Sequence, residues 1–573
     1  MTDDILFDSK NIFYKVPFGA VSTRQKVCLR LLVKNELRAV GVSVFVRRHE
    51  HTMRFDFFVQ SVGDSYSTYV CDFLIEREGT YYYRFEVYVP DGIIFCGRNE
   101  EGKLICGDWL PEWQLSVYKS SFHTPDFLKG GLVYHIFCDR FCKKGKDVLP
   151  RVGKLKNWTD EVGETDENGV YHADDFYGGN FAGIVSKLGY LSSLGVTAIY
   201  LSPVFTANSN HRYDTADYSE VEAMLGGDRG LEKLISEAKK KDIAVILDGV
   251  FNHTGSDSVY FNKHGRFPGK GAYQDPDSPY YDWYTFERFP DVYQSWWGIE
   301  CVPTIARDAV GYQKMIEEKV LGKWTKKGVR GWRLDVVDEL SDVFLDDIRT
   351  AIKNADENAV VIGEVWEDAS TKVSYGEERR YFQGDQLDGV MNYVYKEAIL
   401  TYLLGGDAAA FVNKTNDLAE NYPISALNCC LTLIDSHDTV RAITVLSGAV
   451  PPENREDRRF YRLSKEQYAL GKKRLLAASC LQYFLPGVPS VYYGDEVGLQ
   501  GFEDPFNRRP FPWNDIDDEI LSHYRRLGAL RAKYRQAFAG EFRIETDGNA
   551  VVVSRGEITL RVYPDATFEI IEK

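Results

Sequence analysis

Three stretches of the chain set acids beside short apolar runs: Gly331-Trp332-Arg333-Leu334-Asp335, Ile362-Gly363-Glu364-Val365-Trp366 and Ile434-Asp435-Ser436-His437-Asp438. Runs of this length read as buried strands, and the gaps between them fit whole strand-plus-helix repeats. Asp335, Glu364 and Asp438 are therefore expected to converge at one end of a parallel barrel. Two carboxyl groups flanking a bond, one ionised and one protonated, are the minimum equipment for cleaving a glycosidic linkage through a covalent intermediate.

Such a set needs a rigid frame, and the pattern after Gly131 supplies one. The run Leu132-Val133-Tyr134-His135-Ile136-Phe137 leads to a helical stretch near Phe181 to Leu194, then Ala198-Ile199-Tyr200-Leu201, a helix near Leu231 to Lys241, and Ala244-Val245-Ile246-Leu247-Asp248. About eight such βα units between 131 and 500 predict a closed (β/α)8 TIM barrel, an α/β fold. The third unit is irregular: from Asn252-His253 to a helix near Asp308 lie some fifty residues rich in Gly, Pro, Tyr and Trp, read as a functional insertion over residues 254–308. Its aromatic residues Trp283, Tyr284, Trp296 and Trp297 suit either a packed core or a lid that meets sugar faces.

Residues 1–125 have a different rhythm. Val27-Cys28-Leu29-Arg30-Leu31-Leu32-Val33, Gly41 to Val46 and Tyr81 to Val89 alternate with period two, which predicts an N-terminal β-sandwich of the immunoglobulin or carbohydrate-binding-module kind. The barrel then takes residues 126–538. Residues 539–573 return to alternation (Ala550-Val551-Val552-Val553-Ser554) and predict a small C-terminal β domain.

Composition excludes several classes. The 573 residues are 44% hydrophobic, ample for several cores, and 69 basic against 85 acidic residues give a net charge of −16, which argues against nucleic-acid or anionic-membrane partners and suits a neutral substrate. No run approaches the roughly 18 apolar residues of a membrane helix, and Met1 to Leu6 has no basic, apolar leader pattern. Ten cysteines show no CxxC spacing, so reduced thiols in a cytoplasm are the expectation.

In order and spacing, Asp248-Gly249-Val250-Phe251-Asn252-His253, Gly331 to Glu339, Gly363-Glu364-Val365-Trp366 and Ser436-His437-Asp438 resemble the four motifs of the α-amylase family of glycoside hydrolases. Val196 to Phe205, Tyr213 to Tyr218 and Gly487 to Glu496 add to the match. With the N-terminal sandwich and Asp504-Pro505-Phe506-Asn507-Arg508-Arg509-Pro510, the chain is most similar to the neopullulanase, cyclomaltodextrinase and maltogenic amylase group. The resemblance implies Asp335 as nucleophile, Glu364 as general acid/base and Asp438 as the acid that grips sugar hydroxyls. Arg333, two residues before Asp335 on the same face of its strand, would hold that acid ionised. Val365 and Trp366 would surround Glu364 with apolar surface and keep it protonated. The resemblance further places Tyr213 in a stack on the sugar, His253 and His437 in hydrogen bonds to it, Asp248 in support of the cluster, and Asp504 and Arg508 at the next glucose outward.

The implied activity is retaining hydrolysis of α-1,4 bonds in maltooligosaccharides, cyclodextrins or pullulan, with some tolerance of α-1,6 bonds. An α-glucanotransferase and a non-catalytic glucan-binding protein are the alternatives. Relatives also pair two subunits through the sandwich, so a homodimer is expected, with an oligosaccharide as the small-molecule partner. This chain departs from the group at Val302-Pro303-Thr304-Ile305-Ala306 and Val336-Val337-Asp338-Glu339, stretches that bear on linkage and acceptor preference. Many relatives hold calcium after the first strand. Here Arg140-Phe141-Cys142-Lys143-Lys144-Gly145-Lys146 and the Asn180 that follows Gly178-Gly179 replace the usual oxygen donors, so no metal and no cofactor is expected.

Overall fold

The computed structural model describes residues 4–573, which divide into two compact units. Among the described residues the first comprises 4–124, Asp368–Leu387 and Ala409–Leu427; the second comprises Pro125–Glu367, Asp388–Ala408 and Asn428–Lys573.

In the first unit the period-two alternation forms two sheets, of five and seven strands. Val27–Lys34 alternates buried and part-exposed residues along its whole length and pairs antiparallel with Tyr66–Phe73. The inward faces meet in a core that includes Leu29, Leu31, Val44, Val46, Phe85 and Trp113. Phe7, Tyr83, Phe85 and Trp113 form an aromatic cluster there, and the Trp113 indole donates to Gly102 O at 2.8 Å, so its one polar group is satisfied. Two segments distant in sequence complete this unit. The Lys15 ammonium meets the Glu420 carboxylate at 2.7 Å with both side chains buried, and Gln114 donates to Ser370 Oγ at 3.0 Å.

The second unit is built on a closed barrel of eight parallel strands. These are β1 (Val133–Ile136), β2 (Ala198–Leu201), β3 (Ala244–Gly249), β4 (Gly331–Leu334), β5 (Val360–Val365), β6 (Gly389–Asn392), β7 (Leu431–Thr432) and β8 (Val488–Tyr492). Nearly every strand residue is buried, as expected where both faces are covered. Val133, Ala198, Tyr200, Ile246, Val360, Ile362, Met391, Leu431 and Val488 fill the interior. Gly331 is required at β4: a Cβ there would lie 2.4 Å from Val360 Cγ1. Amphipathic helices such as Phe181–Ser193, Gly227–Lys239 and Asp342–Ala355 cover the outside, the first and third capped by Asn180 and Ser341.

One connection departs from the strand-helix rhythm. Between β5 and β6 the described residues form a short hairpin, Val373–Ser374 with Glu377–Glu378, and no helix; most of this segment, Asp368–Leu387, belongs to the first unit. The insertion after β3 carries the hairpin Phe286–Arg288 with Val292–Tyr293 and an aromatic core around Phe261, Tyr284 and Trp283. Arg543–Asp547, Ala550–Arg555, Ile558–Val562 and Phe568–Glu572 form a four-stranded antiparallel sheet at the C-terminal end of the second unit.

Candidate active site

The ends of β3, β4 and β5 place Asp248, Asp335 and Glu364 around one guanidinium. Parallel pairing sets Asp248 opposite Arg333 and Leu334 opposite Gly363, so Asp335 and Glu364 leave neighbouring strands at the same level. Arg333, fully buried, reaches Asp248 Oδ1 at 2.9 Å and Asp335 Oδ1 at 2.7 Å through Nη1. Its Nη2 lies 3.0 Å from Glu364 Oε2 as an ion pair without hydrogen-bond alignment. Arg333 thus serves three acids rather than Asp335 alone.

Burial pushes the Asp335 carboxyl well above the ordinary carboxylate range, with Glu364 and Asp248 adding to the rise, while Arg333 opposes it. Asp248 is raised by the same burial and opposed by the same arginine. Asp248 Oδ2 also accepts from Tyr200 at 2.5 Å and Tyr213 at 2.8 Å.

Glu364 is held differently from expectation. Trp366 contributes an N–H rather than an apolar wall: its Nε1 donates to Glu364 Oε1 at 3.1 Å, and the residue is 45% exposed. Val365, the next residue on the strand, is buried on the opposite side of the pleat. Glu364 Oε2 accepts from the Val336 backbone N–H at 2.8 Å. Val336 has φ 36°, a left-handed conformation that is strained for a β-branched residue, and this turn aims its N–H at the acid. Tyr393 stacks on Trp366 at 3.9 Å and fixes the indole plane.

The loop after β7 supplies His437 and Asp438. His437 Nε2 is 3.2 Å from Asp438 Oδ2 and also bonds the Tyr213 hydroxyl. The two rings stack at 5.2 Å and 6°, so one face of Tyr213 is covered by His437. Burial drives the His437 imidazole pKa well below its usual value, assisted by His135 and Arg508, so the ring is neutral at physiological pH. Asp438 is 30% exposed at the side chain, yet confinement and the nearby Glu364 push its carboxyl up to about 7. Arg508 Nη1 pairs with Asp504 Oδ1 at 2.8 Å, Nη2 with Asp438 Oδ1 at 3.4 Å, and Nε donates to His437 O at 2.9 Å. Asp504 and Arg508 are thereby joined to the third acid.

His253 lies on the other flank, where burial lowers its pKa to about 4; its Nε2 is 3.2 Å from Tyr213 O. Trp296 of the insertion stacks on it at 5.4 Å, and Trp297 stacks on Trp296 at 4.9 Å.

All eleven residues singled out in the sequence meet through these contacts. Three further participants were not singled out there: Tyr200, His135, which stacks on Tyr200 at 4.3 Å and meets His437 edge-on, and Tyr393. Their signal was positional, polar aromatics inside otherwise apolar barrel strands or just beyond one.

The stretch compared with calcium-binding relatives is occupied by side-chain contacts. Arg140 reaches Asp139 Oδ2 at 2.8 Å and the carbonyls of Asp175 and Arg508; Lys143 pairs with Asp147 at 2.6 Å; Asn180 caps a helix by accepting from Gly183 N. Among the described residues no cluster of three or more His, Cys, Asp or Glu side chains has a metal-holding arrangement, and no helix is long and apolar enough to cross a membrane.

A parallel eight-stranded barrel with acids gathered at the carboxyl ends of its strands defines a barrel enzyme with its reactive groups on the usual face. The family model for the α-amylase catalytic domain matches residues 135–539, and the chain belongs to the α-amylase family of glycoside hydrolases. An amylopullulanase of Thermoanaerobacterium thermosulfurigenes is 32% identical over 592 residues, covering 92% of this chain and 30% of that protein. A cyclomaltodextrinase of Geobacillus thermopakistaniensis is 30% identical over 456 residues, 75% of this chain and 69% of that protein. Among solved structures, the type III pullulan hydrolase from Thermococcus kodakarensis superposes with a TM-score of 0.67 at 25% identity, covering 98% of this chain and 94% of that one. The chain spans 30 to 44% of the length of the amylopullulanases it matches.

Proposed function

We propose that the protein is a retaining α-glucan hydrolase acting on α-1,4 bonds of maltooligosaccharides, cyclodextrins or pullulan, with tolerance of α-1,6 bonds. The observation that carries this reading is the single guanidinium of Arg333 held 2.7 Å from Asp335 and 3.0 Å from Glu364, on strands that are direct neighbours. Adjacent parallel strands lie about 4.8 Å apart, which supports the roughly 5 Å carboxyl separation of double-displacement glycosidases.

Asp335 attacks the anomeric carbon while Glu364 protonates the departing glycosidic oxygen, giving a glycosyl ester and a free chain end. Glu364 then takes a proton from water, which attacks the same carbon and releases Asp335. Arg333 sits beside whichever carboxylate carries charge: Asp335 before attack, Glu364 after its proton has left. Asp438 and neutral His437 hold sugar hydroxyls, and the exposed face of Trp366 meets a sugar ring beyond the cleaved bond.

Asp335→Asn and Glu364→Gln should each lower kcat on maltotriose by about four orders of magnitude with unchanged thermal unfolding. Near-normal turnover in either would sink the assignment. Product analysis separates hydrolase from transferase: glucose and maltose alone support hydrolysis, and products longer than maltotriose support transfer. Pairing through the N-terminal sandwich remains part of the proposal, and a monomeric mass by light scattering at working concentration would count against it. All ten cysteines are free thiols, which supports a reducing, cytoplasmic setting, and cell fractionation tests it.

A further inference from the structure

The second unit contains a cleft of about 1010 Å³ that shares no residue with the acid cluster. It is formed by the loop after β1 (Trp158 to Glu161), the start of the long helix Lys465–Phe484 and the segment after β8 (Val497 to Asp517). The volume lies at the upper end of the range for small-molecule sites.

Its lining combines fixed aromatic rings with hydroxyl-binding groups. Trp158 is half-buried, and its Nε1 is anchored to Phe511 O at 3.0 Å, which sets the ring plane. Tyr468 is anchored through its hydroxyl to Asp517 Oδ2 at 3.0 Å. The charges in the wall are largely neutralised by partners: Glu161 by Arg462 at 2.5 Å, Asp517 by Lys472 at 2.9 Å, Lys143 by Asp147 at 2.6 Å. An ionic ligand would therefore meet no strong net field. Gln500 spends its carbonyl on Leu463 N at 2.6 Å and keeps its amide N–H groups, while Asn514 and Asp515 present exposed side chains. Flat apolar rings flanked by amide and carboxylate groups, with little net charge, are the complement of a pyranose: C–H faces against rings, hydroxyls against amides and carboxylates.

We propose that this cleft is a second α-glucan site, holding a segment of two or three glucose units while the acids act elsewhere. The choice of ligand rests on the glucan-hydrolase reading above; the presence of a neutral-sugar site rests on the cleft itself. Its use is to keep a long substrate attached between cleavage events, so it acts on long chains and leaves maltotriose turnover alone.

The test is calorimetric titration of the Glu364→Gln protein with maltoheptaose. Two equivalents are expected. Adding Trp158→Ala, or the pair Asn514→Ala and Asp515→Ala, should abolish the second equivalent or weaken it at least fivefold. In an otherwise wild-type background the same changes should raise KM for soluble amylose several-fold and leave kcat/KM for maltotriose unchanged. Circular dichroism checks that Trp158→Ala folds, and the Asn514/Asp515 pair, being exposed, keeps the test decisive if it does not. A single equivalent in Glu364→Gln, or two that neither variant alters, overturns the second site. If wild-type enzyme cleaves maltotriose under either of those results, only this inference fails; if it neither binds nor cleaves any α-glucan, the functional reading fails with it.

Discussion

Replacing Arg333 by Met keeps an unbranched aliphatic stem and removes the guanidinium that touches Asp248, Asp335 and Glu364 together. Two unit charges about 4 Å apart interact with about 4 kcal/mol at an effective dielectric near 20. Three contacts of 2.7 to 3.0 Å are therefore a large term, though far from additive. Breaking a buried pair by deleting one partner costs about 3–5 kcal/mol, because a charge is left uncompensated. The cost must depend on pH. Asp335 and Asp248 already have native pKa values raised by burial, with Arg333 opposing the rise. Without it they rise further, and the native state binds more protons than the unfolded chain, whose Asp residues titrate near 3.9. Stability then falls as pH climbs from about 4 through the raised native values.

The expected destabilisation is about 3–5 kcal/mol at pH 8 and about 1–2 kcal/mol at pH 5.5, where the acids can neutralise by protonation. Urea unfolding of wild type and Arg333→Met at both pH values measures it, with kcat on maltotriose recorded alongside and expected to drop by at least three orders of magnitude. Equal destabilisation at the two pH values would refute the claim that Arg333 works by offsetting buried negative charge. It would reduce the residue to a packing role.

Tyr213→Phe removes the hydroxyl shared by Asp248 and His437; a hydrogen bond to a charged group contributes about 1.5–3 kcal/mol, so kcat/KM should fall roughly 10- to 100-fold, and an unchanged value would remove Tyr213 from the network. Asp438, pushed up to about 7, destabilises the fold as pH rises from about 4 to 7, since the native state then holds a proton that the unfolded state has lost. Asp438→Asn should accordingly match wild type near pH 4 and exceed it by about 1 kcal/mol at pH 8, a figure reduced for solvent screening of this part-exposed side chain, while losing most activity. Denaturation curves with the same stability difference at both pH values would contradict it.

What the sequence made legible follows from which interactions are periodic. Strand positions such as Ala198–Leu201 and Val360–Val365 announce themselves because burial on both faces demands unbroken apolar runs. The acids at the strand ends interrupt those runs, so Asp335 and Glu364 stand out without any contact map. The segment after β5 was not legible: only tertiary contacts, such as Gln114 with Ser370, tie Asp368–Leu387 to strands of the first unit some 250 residues earlier. A helix expected from the βα rhythm gave way there to a hairpin.

The site shows the same division at atomic scale. Residue types and order suffice to nominate nucleophile and acid, because the chemistry restricts which side chains can serve. Their settings depend on three-dimensional details that the order of residues does not encode. Trp366 reads as apolar from its type but acts as an N–H donor, since the turn after β5 brings its indole edge to Glu364 at 3.1 Å. Val336 stands in the sequence only as part of a stretch that bears on acceptor preference, yet its left-handed backbone aims an N–H at the same carboxyl group. A β-branched residue is a poor choice for that conformation on local grounds, so the strain must be offset by the surroundings that use it. Strand ends in a barrel are where such strain can be held, because the two neighbouring strands fix the backbone of Gly331–Leu334 on either side. The rigid frame that made the acids predictable is thus also what permits the unpredictable contacts that position them.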